Sequence, residues 1–316
     1  MWFSAAYRTT FGLSCYGMDV KNQHYVPRVY LANFADEDGK IWRYDKVKKF
    51  KSDPHIRNVA AENHFYDSET LKKVTGDKQF IEKKLGQLEG DYAGAIKTLL
   101  QSIDSGQYNG VDGNLREFLS VFMAVQMIRT KEHRILVDEA NRYFDALVPD
   151  IITEDKTPDA IVDQHLDWLL DGKRIRETAE IFYDHIWVIQ MAYEDEVFYT
   201  SDNPIAMRGH VEIPGSWMSM SGINSPGIEI VFPISSKYLL VLYERKYFRL
   251  AERDENRVVP LLCTDNMIYA NHFQVGSSTR FVFSRIADFS LVERILTEEP
   301  HLADPARRRI SGSQQA

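Results

Sequence analysis

Residues 77–103, DKQFIEKKLGQLEGDYAGAIKTLLQSI, decide the fold class of this chain. Apolar side chains recur there at steps of four and three residues, at Ile81, Leu85, Leu88, Tyr92, Ile96, Leu99 and Ile103. This spacing predicts an amphipathic helix. Because further helical patterns follow at about 114–147, at 159–170 and from 175 onward, we expect a helical block over about residues 77–192.

Residues on both sides of this block have the pattern of strands. Residues 41–44 follow an Asp-Gly turn, and residues 188–193 and 197–200 are expected to form a hairpin. Further strand patterns occupy residues 228–232, 238–243 and 279–284. The N-terminal strands are too few to bury a core alone, so we expect them to join C-terminal strands. The sequence therefore predicts an α+β fold, with a mixed or antiparallel sheet built from N- and C-terminal segments and a helical middle block.

The composition is that of an ordinary globular protein, since 44% of the 316 residues are hydrophobic and 27% are charged. We expect one α+β domain over residues 18–300, a dispensable extension over residues 1–17 and a flexible tail over residues 301–316. The chain has two cysteines, no signal-peptide pattern and no stretch of the roughly 20 apolar residues that a membrane span needs. These features predict a cytoplasmic protein that does not enter a membrane.

The net charge of −8 argues against a protein that coats nucleic acid, yet one segment is locally basic. The Lys40–Arg57 segment holds seven Lys or Arg residues against two Asp, interleaved with three aromatic residues. Basic and aromatic residues on a β-ribbon can bind phosphate groups and stack bases. We therefore expect this segment to contact a phosphate-containing ligand or nucleic acid, and the alternative is a solvated hairpin.

The sequence Gln23-His24-Tyr25-Val26-Pro27 is the most unusual motif of the chain. Pro27 keeps Val26 extended and permits a helix to begin after it, so His24 precedes a helix N-terminus. At that position His24 could serve as a general base or a metal ligand. Alternatively, its ring bonds a backbone carbonyl and fixes the entry to the helix.

Two further segments combine groups that could serve catalysis. Glu62 and His64 project from one face if residues 61–66 are extended, and such a pair can orient one another or share a metal ion. Asp202 and Asn203 lie where a strand ends, and loops at strand ends often carry active sites. The structural alternatives are a hydrated edge strand for the first pair and an Asx-turn for the second.

Gln126 and Arg129 lie three residues apart on one face of an apolar helix. Polar groups in such surroundings need partners. Arg129 is therefore either paired with a core carboxylate or directed into a cleft, where it would hold an anionic group through two hydrogen bonds.

These motifs together resemble those of a bacterial family, the domain of unknown function DUF4238. The resemblance covers roughly residues 21–284. Its most specific part is the sequence Gln23 to Pro27, which we call the opening motif. The matching positions are Gln23 to Pro27, Tyr30, Leu31, Phe34, Tyr44, Asp45, Lys46, Glu62 to Tyr66, Gln126, Arg129 and Ser201 to Pro204. The family implies no reaction, but the match marks these positions as candidates for functional residues.

The motifs favour a hydrolase that acts on a phosphate-containing substrate, a nucleic acid or a nucleotide, in a cleft between the sheet and the helical block. The predicted catalytic residues, which could share a divalent metal ion, are His24, Glu62, His64 and Asp202. The predicted substrate-binding residues are Gln23, Gln126, Arg129 and Asn203. P-loop NTPases, zincin proteases and the commonest serine hydrolases are excluded because their motifs are absent from the sequence. The alternatives are a non-catalytic small-ligand-binding or sensor module and a structural interaction protein.

Overall fold

The computed structural model describes residues 20–147, 157–212 and 222–309. The extension expected at residues 1–17 lies outside these ranges. The N-terminal part consists of short elements, namely β1 (Asn22–His24), α1 (Arg28–Leu31), β2 (Trp42–Asp45), β3 (Phe50–Ser52) and β4 (Ala61–Asn63). The helix expected after Pro27 is therefore present as a single turn.

Within the described ranges, six helices follow and form the middle block. They are α2 (Glu69–Thr75), α3 (Phe80–Asp104), α4 (Gly113–Ile128), α5 (Lys131–Leu147), α6 (Pro158–Leu170) and α7 (Gly172–Asp184). The single helical run expected over residues 114–147 is wrong, because the chain breaks at Arg129 and Thr130. The Thr130 hydroxyl accepts a hydrogen bond from the His133 backbone N–H, which caps the start of α5.

The C-terminal part returns to strands. Its elements are β5 (Ile186–Met191), β6 (Thr200–Ser201), β7 (Ala206–Gly209), β8 (Ile228–Pro233), β9 (Tyr238–Tyr243), β10 (Val258–Pro260), α8 (Thr264–Ser277), β11 (Phe281–Ser284) and α9 (Ser290–Glu298). Among the described residues, no helix combines the length and the apolarity that crossing a membrane requires.

In the part of the chain that the structure describes, the strands form three sheets. One has four antiparallel strands in the order β3-β2-β11-β6, and one is mixed, with five strands in the order β10-β5-β9-β8-β7. The third is the antiparallel ribbon of β1 and β4. N- and C-terminal strands therefore share one sheet, and the predicted α+β class is confirmed. The hairpin expected over residues 188–200 is wrong, since β5 pairs with β9 and β10 while β6 pairs with β11.

The largest hydrophobic core of the described residues includes Tyr25 and Val26 of the opening motif, and Tyr30, Leu31 and Phe34 just after it. Tyr30 stacks on Phe232 of β8, with ring centroids 5.1 Å apart, and its hydroxyl lies 2.7 Å from the Thr200 hydroxyl. Tyr92 of α3 stacks on Phe122 of α4 at 3.9 Å. This core joins α1 and the helical block to the five-stranded sheet, so it fixes the position of the residues just before α1.

The end of the chain, expected to be flexible from residue 301, is anchored as far as Arg309. The Arg309 guanidinium donates to both carboxylate oxygens of Glu132 at 2.6 and 2.9 Å, and its side chain is buried. Arg307 donates to the backbone carbonyl of Ser278 at 3.0 Å. Residues 310–316 lie outside the described ranges.

Candidate functional site

The ribbon of β1 and β4 places Gln23 opposite Glu62 and His24 opposite Ala61. Gln23 is fully buried, and its side-chain amide is satisfied by protein groups. Its Oε1 accepts the Tyr66 backbone N–H at 2.6 Å, and its Nε2 donates to Asp67 at 2.6 Å. Gln23 therefore joins the ribbon to the segment before α2, and its predicted role in substrate binding stays a prediction.

Arg129 is a buried cation that lies next to the β1–β4 ribbon. Its Nη2 atom donates to the backbone carbonyl of His24 at 2.5 Å and forms an ion pair with Glu89 of α3 at 2.8 Å. Burial alone would lower the pKa of Arg129, but Tyr66 and Glu89 raise it above its usual range. The carboxylate partner expected for a buried arginine is thus Glu89, which the sequence reasoning did not single out.

Gln126, one turn before Arg129, binds the same segment. Its Nε2 donates to the Tyr25 carbonyl at 3.1 Å, and the side chain is buried. Both helix residues therefore hold the backbone of the opening motif, because α4 passes directly behind it. Each of the two side chains also has one atom without a hydrogen-bond partner in the described part of the chain. These atoms are Arg129 Nη1 and Gln126 Oε1.

His24 combines burial with an unpartnered ring atom. The residue is only 9% exposed, and its Nε2 has no hydrogen-bond partner among the described residues. Burial and the positive charges of Arg28 and Arg129 lower the pKa of His24 to about 4, against the opposing effect of hydrogen bonds with the Ile56 and Arg57 backbone. The imidazole is therefore neutral near pH 7 and can accept a proton.

Glu82 is a candidate that the sequence reasoning missed. It lies on α3, seven residues before Glu89 and thus on the same helix face. Burial and the nearby Glu89 charge raise the pKa of Glu82 to about 7, against the opposing effect of Arg129, and its Oε2 lacks a partner within the described residues. Glu82 is therefore partly protonated near neutral pH.

Arg28 places an exposed positive charge beside these groups. Its charge acts on both His24 and Glu82, as their pKa shifts show. In residues 20–147, 157–212 and 222–309, no side-chain hydrogen bond or ion pair engages its guanidinium. It is therefore free to bind an anionic group from solution.

The predicted pair of Glu62 and His64 does not form. The Glu62 carboxylate pairs with Lys131 at the start of α5. His64 is exposed, has a φ of 55° in the left-handed region, and its Nδ1 lies 2.8 Å from Asp67. The chain turns at His64 rather than continuing as a strand, so the two side chains have separate partners.

Asp202 lies in a different part of the structure, at the end of β6. Its fully buried carboxylate accepts backbone N–H bonds from Thr279, Arg280 and Phe281 at 2.8 to 2.9 Å. Burial raises the pKa of Asp202 to about 6, although these donors and Lys46 oppose the shift. The carboxylate therefore ties β6 to the start of β11.

Asn203, the residue after Asp202, joins the end of β6 to the end of α8. Its Nδ2 donates to the backbone carbonyl and the hydroxyl of Ser277 at 3.2 and 3.1 Å. The predicted site residues thus divide into two groups. One lies at the β1–β4 ribbon, and the other lies where the end of β6 meets the start of β11. Tyr25 is affected by both, since the Asp202 and Glu62 charges, after burial, raise the pKa of its hydroxyl.

The basic segment is only partly available to a ligand. Lys46 is fully buried, and its Nζ donates to the carbonyls of Val275 and Ser278 at 2.9 and 2.8 Å. Burial lowers the pKa of Lys46 to about 7. Lys40 pairs with Asp53, whereas Lys48 and Lys49 are exposed. Binding of nucleic acid through this segment stays a prediction.

No group of three or more His, Cys, Asp or Glu side chains in the described ranges is arranged to hold a metal ion. The predicted residues fit this result, because Glu62, His64 and Asp202 each have a different partner. The shared divalent metal ion considered from the sequence thus has no donor set in the part of the chain described.

A comparison with models of protein families shows to which family the chain belongs. The model of the family described as "Protein of unknown function (DUF4238)" matches residues 22–288. The chain belongs to the DUF4238 family. The resemblance expected from the opening and late motifs is therefore confirmed. A search of curated proteins and a search of solved structures found no match.

The residues that mark this DUF4238 member also explain its architecture. Gln23, Gln126 and Arg129 hold the opening motif against the helical block, and Asp202 joins two strands through backbone groups. Around these contacts, charged and titratable groups gather where β1, α1, α3 and the end of α4 meet. We call His24, Arg28, Glu82, Glu89 and Arg129 the junction cluster.

Proposed function

We propose that the protein is a hydrolase that cleaves a phosphate ester by acid–base catalysis at the junction cluster. The observation that carries this proposal is the placement of His24 and Glu82, whose pKa values are both affected by the charges of Arg28 and Arg129. Both are largely buried, both are shifted toward their neutral forms, and each has a polar atom without a partner among the described residues. Buried polar atoms without partners are uncommon in proteins, and functional sites are one place where they occur.

The two groups have the protonation states that acid–base catalysis needs. With a pKa of about 4, His24 is unprotonated above that pH, and with a pKa of about 7, Glu82 keeps its proton below that pH. Between these limits the same site offers one base and one acid. An active site whose groups both titrated near 4 would lack the acid at neutral pH.

In the proposed step, His24 Nε2 accepts a proton from a water molecule while the water oxygen bonds to phosphorus. The bond from phosphorus to the ester oxygen breaks, and Glu82 gives its proton to that oxygen. Arg28 binds the phosphate oxygens, as an exposed guanidinium can do through two hydrogen bonds. Both reacting atoms are buried here, so the proposal requires side chains above them to move when substrate binds.

Arg129 acts as a positioning residue in this scheme. It holds the His24 backbone through the carbonyl and holds Glu89 by an ion pair, while its positive charge helps to keep the imidazole neutral. Glu89, in turn, keeps a negative charge near Glu82 and favours the protonated form of that side chain.

We expect the protein to hydrolyse phenyl phosphate or diphenyl phosphate, whose unactivated leaving group needs a proton, with kcat/KM falling above pH 7 as Glu82 loses its proton. Glu82→Gln and His24→Gln should each lower kcat/KM by about 10²–10⁴-fold, the usual contribution of one acid or base. The measurement is release of phenol between pH 5 and 9.

Asp91→Asn is the matched control, because Asp91 is an exposed carboxylate on the same helix, and its activity should equal that of the wild type. Circular dichroism would establish that each variant is folded. Turnover of neither ester by the wild-type protein, or unchanged turnover in Glu82→Gln, would contradict the proposal. Either result would support the alternative in which the motif residues only join the helical block to the sheet.

A further inference from the structure

A separate pocket lies between α8, α9 and the segment before β6. It has a volume of about 390 Å³, within the range of sites for small molecules, and it shares no residue with the junction cluster. Its polar wall is formed by Glu196, Asp288 and Arg294, and its apolar wall includes Ile268 and Leu291. The family match ends at residue 288, so α9 lies beyond it.

The pocket presents opposite charges from different elements. Arg294 is an exposed side chain on α9, and no hydrogen bond or ion pair within the described ranges engages it. Asp288 precedes the helix, where the Ser290 backbone N–H donates to it at 2.9 Å and lowers its pKa. Glu196 is held on the other side by the Thr264 hydroxyl at 2.7 Å. Among the described residues that line the pocket, Arg294 is therefore an unpaired cation, whereas the two carboxylates are each held by a hydrogen bond.

The back of the pocket is rigid. Asn271 donates to the Val197 carbonyl at 3.0 Å and accepts the Tyr199 backbone N–H at 2.8 Å. The Tyr199 hydroxyl donates to the Asp288 carbonyl at 2.9 Å. These bonds join α8, the segment before β6 and the segment before α9, so the charged groups are carried on a preorganised frame.

We propose that this pocket binds a short peptide with free termini, bound as a zwitterion. The ammonium group would lie at Asp288 and Glu196, the terminal carboxylate would pair with Arg294, and an apolar side chain would contact Ile268 and Leu291. The volume suits a molecule of about two residues, and a guanidinium matches a carboxylate through two parallel hydrogen bonds. A purely anionic ligand would face two carboxylates, and a purely cationic one would leave Arg294 unpaired.

The test is titration calorimetry with Leu-Leu, N-acetyl-Leu-Leu and Leu-Leu-amide. Leu-Leu should bind measurably, and blocking either terminus should weaken binding at least 10-fold. Arg294→Gln should weaken Leu-Leu to the same extent but leave the affinity for Leu-Leu-amide unchanged, because that ligand has no carboxylate. Arg257→Gln, an exposed arginine next to β10, is the control and should bind as the wild type does.

The blocked ligands change only the peptide, so they test each charged end without risk to the fold. No binding of Leu-Leu at millimolar concentration would contradict the proposal. Equal binding of the three peptides, or an unchanged affinity for Leu-Leu in Arg294→Gln, would contradict it as well. None of these outcomes bears on hydrolysis at the junction cluster, because the two sites have no residue in common.

Discussion

Arg129→Met is expected to lower the free energy of unfolding by about 3–5 kcal/mol, the usual loss when one partner of a buried ion pair is removed. The Arg129 side chain is 1% exposed, and it holds the Glu89 carboxylate and the His24 carbonyl. Methionine fills much of the same volume but donates no hydrogen bond. The His24 carbonyl would then keep only the longer hydrogen bond from the Tyr66 hydroxyl at 3.5 Å, and the Glu89 carboxylate, 21% exposed, would lose its counter-charge. Urea denaturation followed by tryptophan fluorescence measures the loss.

Arg142→Met is the matched control, because it makes the same change at an exposed position. Arg142 forms an ion pair with Asp138 within α5, and its side chain is 72% exposed. Exposed pairs contribute about 0–1 kcal/mol, so this variant should unfold at nearly the wild-type urea concentration. Similar losses in the two variants would contradict the structural role assigned to Arg129.

His165 is expected to make the protein sensitive to acid. It is fully buried on α6, accepts a hydrogen bond from Arg134 at its Nδ1, and lies 2.8 Å from the Ile128 carbonyl through Nε2. Burial, followed by the Arg134 charge, lowers the pKa of His165 to about 3. Between pH 3 and 6.5 the unfolded chain therefore binds a proton that the folded protein does not bind.

Stability should consequently fall as the pH is lowered through this window. One such proton changes the free energy of unfolding by about 1.4 kcal/mol per pH unit, or about 4 kcal/mol between pH 6.5 and 3.5. Buried groups elsewhere also titrate there, so the measurement is a difference. Over this pH range, the free energy of unfolding should change less steeply with pH in His165→Gln than in the wild type. The difference in slope should be about 1.4 kcal/mol per pH unit, which corresponds to one proton.

The exposed His301 supplies the comparison for this experiment, since His301→Gln removes an imidazole from the surface. Its slope should match that of the wild type. An unchanged slope in His165→Gln would mean that this buried ring takes up its proton in the folded protein, contrary to the expected shift. Because only slopes are compared, a loss of overall stability in His165→Gln does not affect the conclusion.

Local periodicity predicted most helices and strands, because it records which face of each element is buried. The four- and three-residue steps from Ile81 to Ile103 correspond to α3, and the strand patterns at 228–232 and 238–243 correspond to β8 and β9. The break at Thr130 was missed because no Gly or Pro interrupts the polar residues 129–134 and apolar residues resume at Ile135. The partner of β6 was missed because β11 is about 80 residues away, and pairing at that separation leaves no local pattern.

The candidate site was predicted less completely than the fold. The sequence marked His24 and Arg129, which do lie together, but it grouped them with Asp202, whose carboxylate binds three backbone N–H groups of a distant turn. Such contacts depend on tertiary structure alone. Glu82 and Glu89 carried a usable signal: each directly follows an apolar residue of the α3 stripe, so both lie at the edge of its buried face.

The anchored end of the chain bears on how a shorter form of the protein should be designed. A truncation after residue 300, where the sequence pattern ends the domain, would remove both Arg307 and Arg309. Glu132, with a side chain only 15% exposed, would then keep the Thr279 hydroxyl as a hydrogen-bond donor but lose its counter-charge. An affinity tag or fusion partner therefore belongs beyond Arg309, and deletion variants that stop earlier should express poorly.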